Sequence, residues 1–148
     1  GSMTAPNPEA VRRCIRGALA DAGTGPHEAD AINGHLTATQ ADPREVAAWA
    51  AALERAPGQL PPITSTKSMI GHALGAAGAI ESAACALMVE KGFVHASRNC
   101  EDVHPEIAPH EASIPHETRE LPSLRTLVKA GFGFGDVNAC LVFRRWDA

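Results

Sequence analysis

Tyrosine is absent from this sequence, and the other aromatic residues are few, with four phenylalanines and two tryptophans. A protein that stacks nucleic-acid bases needs aromatic rings for the purpose, and one that binds phosphates needs clustered basic residues. The chain instead has 13 Lys and Arg against 17 Asp and Glu, a net charge of −4, and no long block of one sign. We therefore expect that nucleic acid is not a partner.

Cysteine is also sparse, and no two cysteines form a CxxC pair. The four residues are Cys14, Cys85, Cys100 and Cys140. A zinc site or a disulfide framework requires closer and more regular spacing. His104, His110 and His116 are evenly spaced, but no carboxylate or cysteine pattern completes a ligand set around them. We expect no metal site and interpret the cysteines as small buried side chains plus one loop thiol.

An uninterrupted apolar run of membrane-spanning length is missing. The nearest stretch, 73–89, contains Glu81 and several small residues, so we interpret it as a buried helix and expect no membrane span. No signal peptide is recognisable, which favours a cytoplasmic location. Residues 1–3 are typical of a tag remnant followed by a natural start Met, and residues 4–148 have the size of one domain.

Apolar periodicity and turn residues predict alternating helices and strands. Helices are predicted over 8–22, 43–56 with Asp42 as N-cap, and 71–90; strands are predicted over 31–33, 63–66, 124–130 and 137–144. The proline-rich segment 93–122 is predicted to be an irregular excursion over the surface. This order indicates an α/β fold with a buried mixed sheet. The helix over 71–90 is expected to be the most buried element, because Ala and Gly dominate it.

Three short motifs follow or connect predicted strands, where open α/β sheets usually carry function. They are the segments 33–39, 67–78 and 131–135. In the second, His72 precedes small residues at the start of a predicted helix, although each Gly there costs about 1 kcal/mol relative to Ala. Such residues make sense where another backbone or a thin ligand must approach closely.

The two motif histidines, His35 and His72, are the strongest candidates for chemistry. Free N–H groups at the start of a helix would disfavour an imidazolium at His72 and favour a neutral hydrogen-bond donor. A packed helix with a capping histidine is the alternative, and His35 alone would more often be structural. Two histidines on separate strand-end loops favour a shared site.

Together, the three motifs resemble those of β-ketoacyl-acyl carrier protein synthases. Lys-Ser-x-x-Gly-His at 67–72, followed by Gly-Ala-Ala-Gly at 75–78, resembles the second histidine motif of that family. Asn-x-His-x-Thr-x-Thr at 33–39 resembles the first, and residues 131–138 resemble the Gly-Phe-Gly-Gly-x-Asn turn near the C-terminus. Thiolases share the fold of these synthases but not the Lys-Ser-x-x-Gly-His signature. The resemblance implies an α/β fold, the C-terminal half of a thiolase-like αβαβα enzyme, with a mixed sheet of about five strands and helices on its faces.

The family's reaction is a decarboxylative Claisen condensation of acyl and malonyl thioesters. By position, His35 and His72 would donate hydrogen bonds to the malonyl thioester carbonyl. Lys67 and Glu81 would form the charge pair that supports them.

The remaining family positions concern the substrate arm. Thr37 and Thr39 would hydrogen-bond the phosphopantetheine of an acyl carrier protein, and no prosthetic group bound to the chain itself is implied. Phe134 would gate the acyl channel, and its backbone N–H, beside Gly135, would complete an oxyanion hole.

Three departures from the family pattern shape the expectations. Leu36 replaces a Gly and is expected to crowd the pantetheine tunnel, and Asp136 replaces a Gly and is expected to raise the pKa of a nearby histidine. The nucleophilic cysteine of the family lies in its N-terminal half, and none of the four cysteines here matches it.

The resemblance therefore implies a histidine-bearing acyltransferase subunit that is inactive alone. Its partner would be an N-terminal half with the Cys nucleophile, docked on a broad apolar face in a complex that could pair into a dimer of heterodimers. Two alternatives stay open: a non-catalytic scaffold or chain-length-factor-like partner, and an excised fragment of a single-chain synthase.

Overall fold

The structure, a computed structural model, describes residues 6–146. Within that range it contains four α-helices, α1 (Pro8–Asp21), α2 (Asp42–Ala52), α3 (Lys67–Ile70) and α4 (Ala77–Lys91). It also contains six strands, β1 (Ala31–Asn33), β2 (Ile63–Thr64), β3 (Phe93–Val94), β4 (Arg119–Glu120), β5 (Thr126–Gly133) and β6 (Val137–Arg144). The predicted tag remnant and start Met, residues 1–3, lie outside the described residues.

The main sheet is mixed and has four strands in the order β2-β1-β5-β6. β1 is parallel to both β2 and β5, whereas β6 returns antiparallel along the whole length of β5. The sheet has four strands instead of about five because β3 pairs with β4 in a separate antiparallel ribbon. The segment predicted to be an irregular excursion contains that ribbon and a 3₁₀ helix (Ala108–Ser113). Parts of the excursion, such as Val94 and His95, are buried and do not run over the surface.

Helices cover both faces of the main sheet, as the strand alternation requires. On one face Ile32 and Val128 pack with α1 and α2 around Trp49. On the opposite face Ala31 and Leu127 pack against α4. The layered α/β arrangement predicted from the sequence is therefore present.

Helices α1 and α2 begin within one residue of their predicted positions, but α2 ends early. The side chain of Asn7 accepts the Glu9 N–H and caps α1. α2 ends at Ala52, four residues before the predicted end at 56, and Glu54 beyond it takes a positive φ of 54°. Asp42 is not the N-cap; it is the first residue of α2, and its carboxylate accepts N–H groups from the turn just before the helix.

The long helix predicted over 71–90 begins at Ala77. Gly71 has a φ of 76°, which L side chains rarely adopt and which interrupts the helix that α3 starts. Its end is as predicted, because Gly92 forms a left-handed cap after Lys91.

The expectation that this helix is the most buried element is wrong. α4 buries one side against the sheet and leaves Ile80 and Leu87 exposed on the other, whereas the first five residues of β5 are all buried. A central strand is flanked on both sides and covered on both faces, but a surface helix is covered on one. Among residues 6–146, no helix combines the length and the apolar character that crossing a bilayer requires.

Candidate active site

The three sequence motifs meet at one edge of the main sheet. β1 and β2 are parallel, so the chain leaving Asn33 towards His35 and the chain leaving Thr64 towards Lys67 emerge on the same side. β5 is parallel to β1 and carries the third motif to that edge. In an open α/β sheet this edge is where ligands bind.

The rings of His35 and His72 lie face to edge, with centroids 5.5 Å apart and planes at 82°. Phe132 on β5 holds the His35 ring from another side, at a centroid distance of 5.9 Å. The convergence of the two histidines, predicted from sequence, is therefore present in the chain by itself.

His35 is half-buried, and its surroundings disfavour a charged ring. Burial is the main cause that lowers its pKa to about 4, and the ammonium groups of Lys67 and Lys129 and the ring of His72 lower it further. The Glu81 carboxylate acts in the opposite direction. At neutral pH the ring is neutral and can donate one N–H.

His72 has its tautomer set by the backbone. The Leu74 N–H donates to His72 Nδ1 over 3.0 Å. A neutral ring that accepts at Nδ1 carries its hydrogen on Nε2, which makes Nε2 a donor. His72 lies in a turn ahead of α4 and not in the helix, but a backbone N–H still points at its ring, as the motif suggested.

Two buried lysines flank the carboxylate of Glu81. Lys67 Nζ contacts Glu81 Oε1, which is the charge pair predicted from sequence, and Lys129 Nζ lies 2.9 Å from Glu81 Oε2. All three residues are buried. Lys129 was not among the residues singled out from the sequence, because a Lys inside an apolar strand gives no signal of its partner.

An open cavity of about 420 Å³ brings these groups to a common surface, and its lining includes His35, His72, Lys129 and Phe134. The Phe134 side chain is 73% exposed at the cavity mouth. Gly135 follows it with a φ of 72°, which lets the turn between β5 and β6 close tightly.

A second cavity, of about 370 Å³, lies on the other side of His72 and is lined in part by Thr37 and Lys67. The Thr37 and Thr39 hydroxyls are 3.2 Å apart. Thr37 shares this cavity with His72, whereas Thr39 is not among the residues that line either cavity.

The two departures from the family pattern have distinct local roles. Leu36 lines the second cavity and packs against the core of the α1 and α2 layer. Asp136 Oδ1 accepts the Asn7 N–H over 2.8 Å at the start of α1. The expectation that Asp136 raises a nearby histidine pKa is wrong for His35, whose pKa is lowered by burial and by the cations around it.

Glu45 of α2 is a second site residue that sequence reasoning missed. Its Oε1 accepts the His35 N–H at 2.7 Å and the Trp49 Nε1–H at 3.2 Å, and its Oε2 accepts the Leu36 N–H at 2.9 Å. Glu45 is buried, and burial is the main cause that raises its pKa to about 7. The Glu45 side chain fixes the backbone that presents His35.

His95, which lies in the segment predicted to run over the surface, is buried and connects the first two motifs. Its Nδ1 lies 2.9 Å from the Ala96 carbonyl oxygen, so Nδ1–H donates and Nε2 accepts. His95 Nε2 is 3.1 Å from Thr66 Oγ1 and 3.4 Å from Asn33 Nδ2. These neighbours directly precede the Lys67 and His35 segments.

None of the four thiols lies among the residues lining the cavity with both histidines. As predicted, Cys14 and Cys85 lie in helices, Cys140 in a strand and Cys100 in a loop. Burial raises the pKa of all four thiols, to about 12 for Cys85 and Cys140, which suppresses the nucleophilic thiolate. Over residues 6–146 no group of three or more His, Cys, Asp or Glu is arranged to hold a metal ion.

Known proteins share both the sequence and the fold. Residues 1–101 match the family described as "Beta-ketoacyl synthase, C-terminal domain". The 3-oxoacyl-[acyl-carrier-protein] synthase 1 of Haemophilus influenzae is 39% identical over 147 residues, which are 98% of this chain and 34% of that protein.

Two solved structures show the same fold at similar coverage. The ishigamide ketosynthase/chain length factor superposes with a TM-score of 0.90 at 34% identity, over 99% of this chain and 35% of that one. A ketosynthase in complex with its type II PKS acyl-carrier protein superposes with a TM-score of 0.85 at 32% identity, over 99% and 36%. The chain thus spans about a third of the length of the proteins it matches. The thiolase-like fold is confirmed. The chain belongs to the β-ketoacyl synthase family and corresponds to the C-terminal half of such a synthase.

Proposed function

We propose that this chain supplies the two histidines for the decarboxylative Claisen condensation of acyl and malonyl thioesters carried on acyl carrier protein. The observation that carries the proposal is the convergence of His35 and His72. Both rings are neutral hydrogen-bond donors. Burial and nearby cations disfavour a charged His35 ring, and the Leu74 N–H donates to Nδ1 of His72, which leaves its hydrogen on Nε2. Two N–H donors that reach the same oxygen would form an oxyanion hole.

The chemistry requires charge to develop on the malonyl thioester oxygen. As carbon dioxide leaves, the electron pair of the broken C–C bond forms an enolate, and the two histidine N–H groups donate to its oxygen. The enolate carbon then attacks the acyl thioester on a cysteine, forming a C–C bond as the C–S bond breaks and the thiolate leaves. A neutral donor suits this task, because it stabilises the oxyanion without having to give up a proton.

The cysteine must come from elsewhere, since none of the four thiols lines the cavity with both histidines and burial raises the pKa of each. We therefore propose that the chain is inactive alone and requires an N-terminal ketosynthase half with the Cys nucleophile. Exposed apolar side chains support this partner. Large ones are exposed at Met69, Ile70, Leu74, Ile80, Leu87, Phe134, Val137 and Leu141. Exposed apolar surface on this scale is typical of an interface.

The substrate arm in this proposal is the phosphopantetheine of an acyl carrier protein. Thr37 and Thr39 are proposed to hydrogen-bond it. Phe134 is proposed to gate the acyl channel, and its backbone N–H, beside Gly135, to complete an oxyanion hole. The relative solved with an acyl-carrier protein supports this partner. The completed complex is further proposed to pair into a dimer of heterodimers; the ketosynthase/chain length factor relative is an example of a ketosynthase that pairs with a second chain.

The test is His72→Ala in the chain co-purified with its cysteine-bearing half. We expect malonyl decarboxylation and condensation to fall about 100- to 1,000-fold, as when an oxyanion donor is removed. The exposed His116 provides a matched control, and His116→Ala should keep full activity. Activity that survives His72→Ala would instead assign a scaffold role to the chain.

A further inference from the structure

Glu81 contacts two positively charged side chains, although one would be enough to neutralise its carboxylate. Its carboxylate carries one negative charge, and the ammonium groups of Lys67 and Lys129 contact its two oxygens. The Lys67, Glu81 and Lys129 side chains are 6%, 2% and 5% exposed, so water screens none of them well. This buried group therefore carries one excess positive charge.

A second buried ammonium is costly, and Lys67 alone would neutralise Glu81. Burying an ion loses its hydration, and replacing a whole buried ion pair or triad with well-packed apolar side chains is often neutral or stabilising. The fold nonetheless accommodates Lys129: a Cβ added at Gly131 would lie 3.2 Å from Lys129 Nζ, so the glycine leaves room for the ammonium. Lys129 also lines the cavity that contains both histidines.

We propose that Lys129 is a positioning residue, whose charge adds to that of Lys67 and favours the neutral, hydrogen-bond-donating ring of His35 against the opposing charge of Glu81. This role rests on the function proposed above. Lys129 need not touch the substrate, because it acts through the protonation state of His35.

The charged and titratable groups around His35 come from every element packed against it. Lys67 follows β2, His72 precedes α4, Glu81 lies on α4 and Lys129 on β5. Glu45 on α2 accepts the His35 backbone N–H and is not among the charges that shift the His35 pKa. Burial lowers the His35 pKa most, the two lysines and His72 lower it further, and Glu81 alone raises it. Lys67 has the larger effect of the two lysines and Lys129 has the smallest effect of the five causes, so Lys129 adds to what Lys67 does.

The experiment is a histidine titration of the full chain in its purified assembly, with ¹³C at histidine Cε1. Lys129→Gln is the variant, because its amide can still donate to Glu81 but carries no charge. We expect the His35 midpoint, about 4 in the wild type, to move upward. Decarboxylation at pH 5 relative to pH 8 should fall by up to about twofold, as the neutral fraction of His35 decreases. Lys91→Gln removes an exposed lysine charge and should leave both quantities unchanged.

Several outcomes would overturn the role of Lys129. One is a titration midpoint of His35 that is unchanged in folded Lys129→Gln. Another is a wild-type His35 midpoint at or above the ordinary pKa near 6.5. Lys129→Met serves as the second variant, and failure of both to fold would assign Lys129 to stability alone. The titration needs no turnover, so a protein with a depressed His35 midpoint but no decarboxylation would count against the proposed function and not against Lys129.

Discussion

At the scale of single residues, two buried carboxylates organise the candidate site by different means. Glu81 is bound by ammonium groups, whereas Glu45 is bound by the neutral N–H groups of His35, Leu36 and Trp49. Neutral donors offset the cost of burying a charge only in part. The pKa of Glu45 is therefore raised to about 7, even though each of its hydrogen bonds favours the ionised form.

The raised pKa of Glu45 makes stability depend on pH. Between its ordinary value of 4.5 and about 7, the folded chain keeps a proton that the unfolded chain has released. This stabilisation is complete below about pH 4.5 and is lost as the pH rises through about 7. We expect the free energy of unfolding of the wild type to decline relative to Glu45→Gln across this window, by at most about 1.4 kcal/mol per pH unit.

Urea unfolding of both proteins at pH 5, 6, 7 and 8 measures this difference. His35, whose pKa is lowered, makes the opposite contribution, but it is present in both proteins and cancels in the difference. A difference that stays constant with pH would show that Glu45 titrates normally.

At the scale of elements, the turn before α4 and the first turn of α4 contain small residues that contact little of the rest of the described chain. Gly75 and Gly78 are exposed, and a Cβ added at either would meet nothing within 4 Å. Packing inside this chain therefore does not explain these glycines. The close approach of another backbone, inferred from the motif, would have to come from outside the described residues.

Gly78→Ala separates the two effects of a helical glycine. In the chain alone the substitution should stabilise α4 by roughly 0.5–1 kcal/mol, because Ala loses less conformational freedom than Gly in a helix. In the assembly we expect it to weaken association with the cysteine-bearing half about tenfold. Gly17→Ala in α1 is the matched control, since Gly17 is also helical, exposed and uncrowded. It should stabilise equally and leave binding intact; equal binding by both variants would contradict a close approach at Gly78.

At the scale of the whole molecule, the sheet has one face covered by α1 and α2 and the other by α4, whose outer side is bare. Ile80 and Leu87 are exposed there, at 41% and 51%, and Leu74 is exposed at 78% just before the helix. Their exposure is the strongest argument in the fold for a partner.

The double substitution Ile80→Glu with Leu87→Glu should abolish that association and leave the chain folded. Two carboxylates cannot enter an apolar interface without losing hydration, whereas both positions are exposed in the chain alone. Light scattering coupled to size-exclusion chromatography of the co-expressed halves measures the outcome. Ala47→Glu on the exposed side of α2 is the control and should leave the complex intact. A complex that survives the double substitution would place the interface elsewhere.

Local sequence determined the elements whose boundaries depend on their own residues. α1, β1 and β6 begin where the pattern predicted, and α4 ends at its glycine cap, because periodicity and turn chemistry act over a few positions. The motifs likewise identified His35, His72, Lys67 and Glu81, and parallel strands brought them to one edge.

Only the tertiary structure decided the features that depend on distant parts of the chain. The start of α4 depends on backbone angles at Gly71, which composition does not reveal. The contacts of Lys129 with Glu81 and of Glu45 with the His35 loop join different elements, so neither residue carries a local sign of its partner. The protonation states follow the same rule: burial and neighbouring charge set the pKa values of His35 and Glu45, and both are properties of the assembled fold.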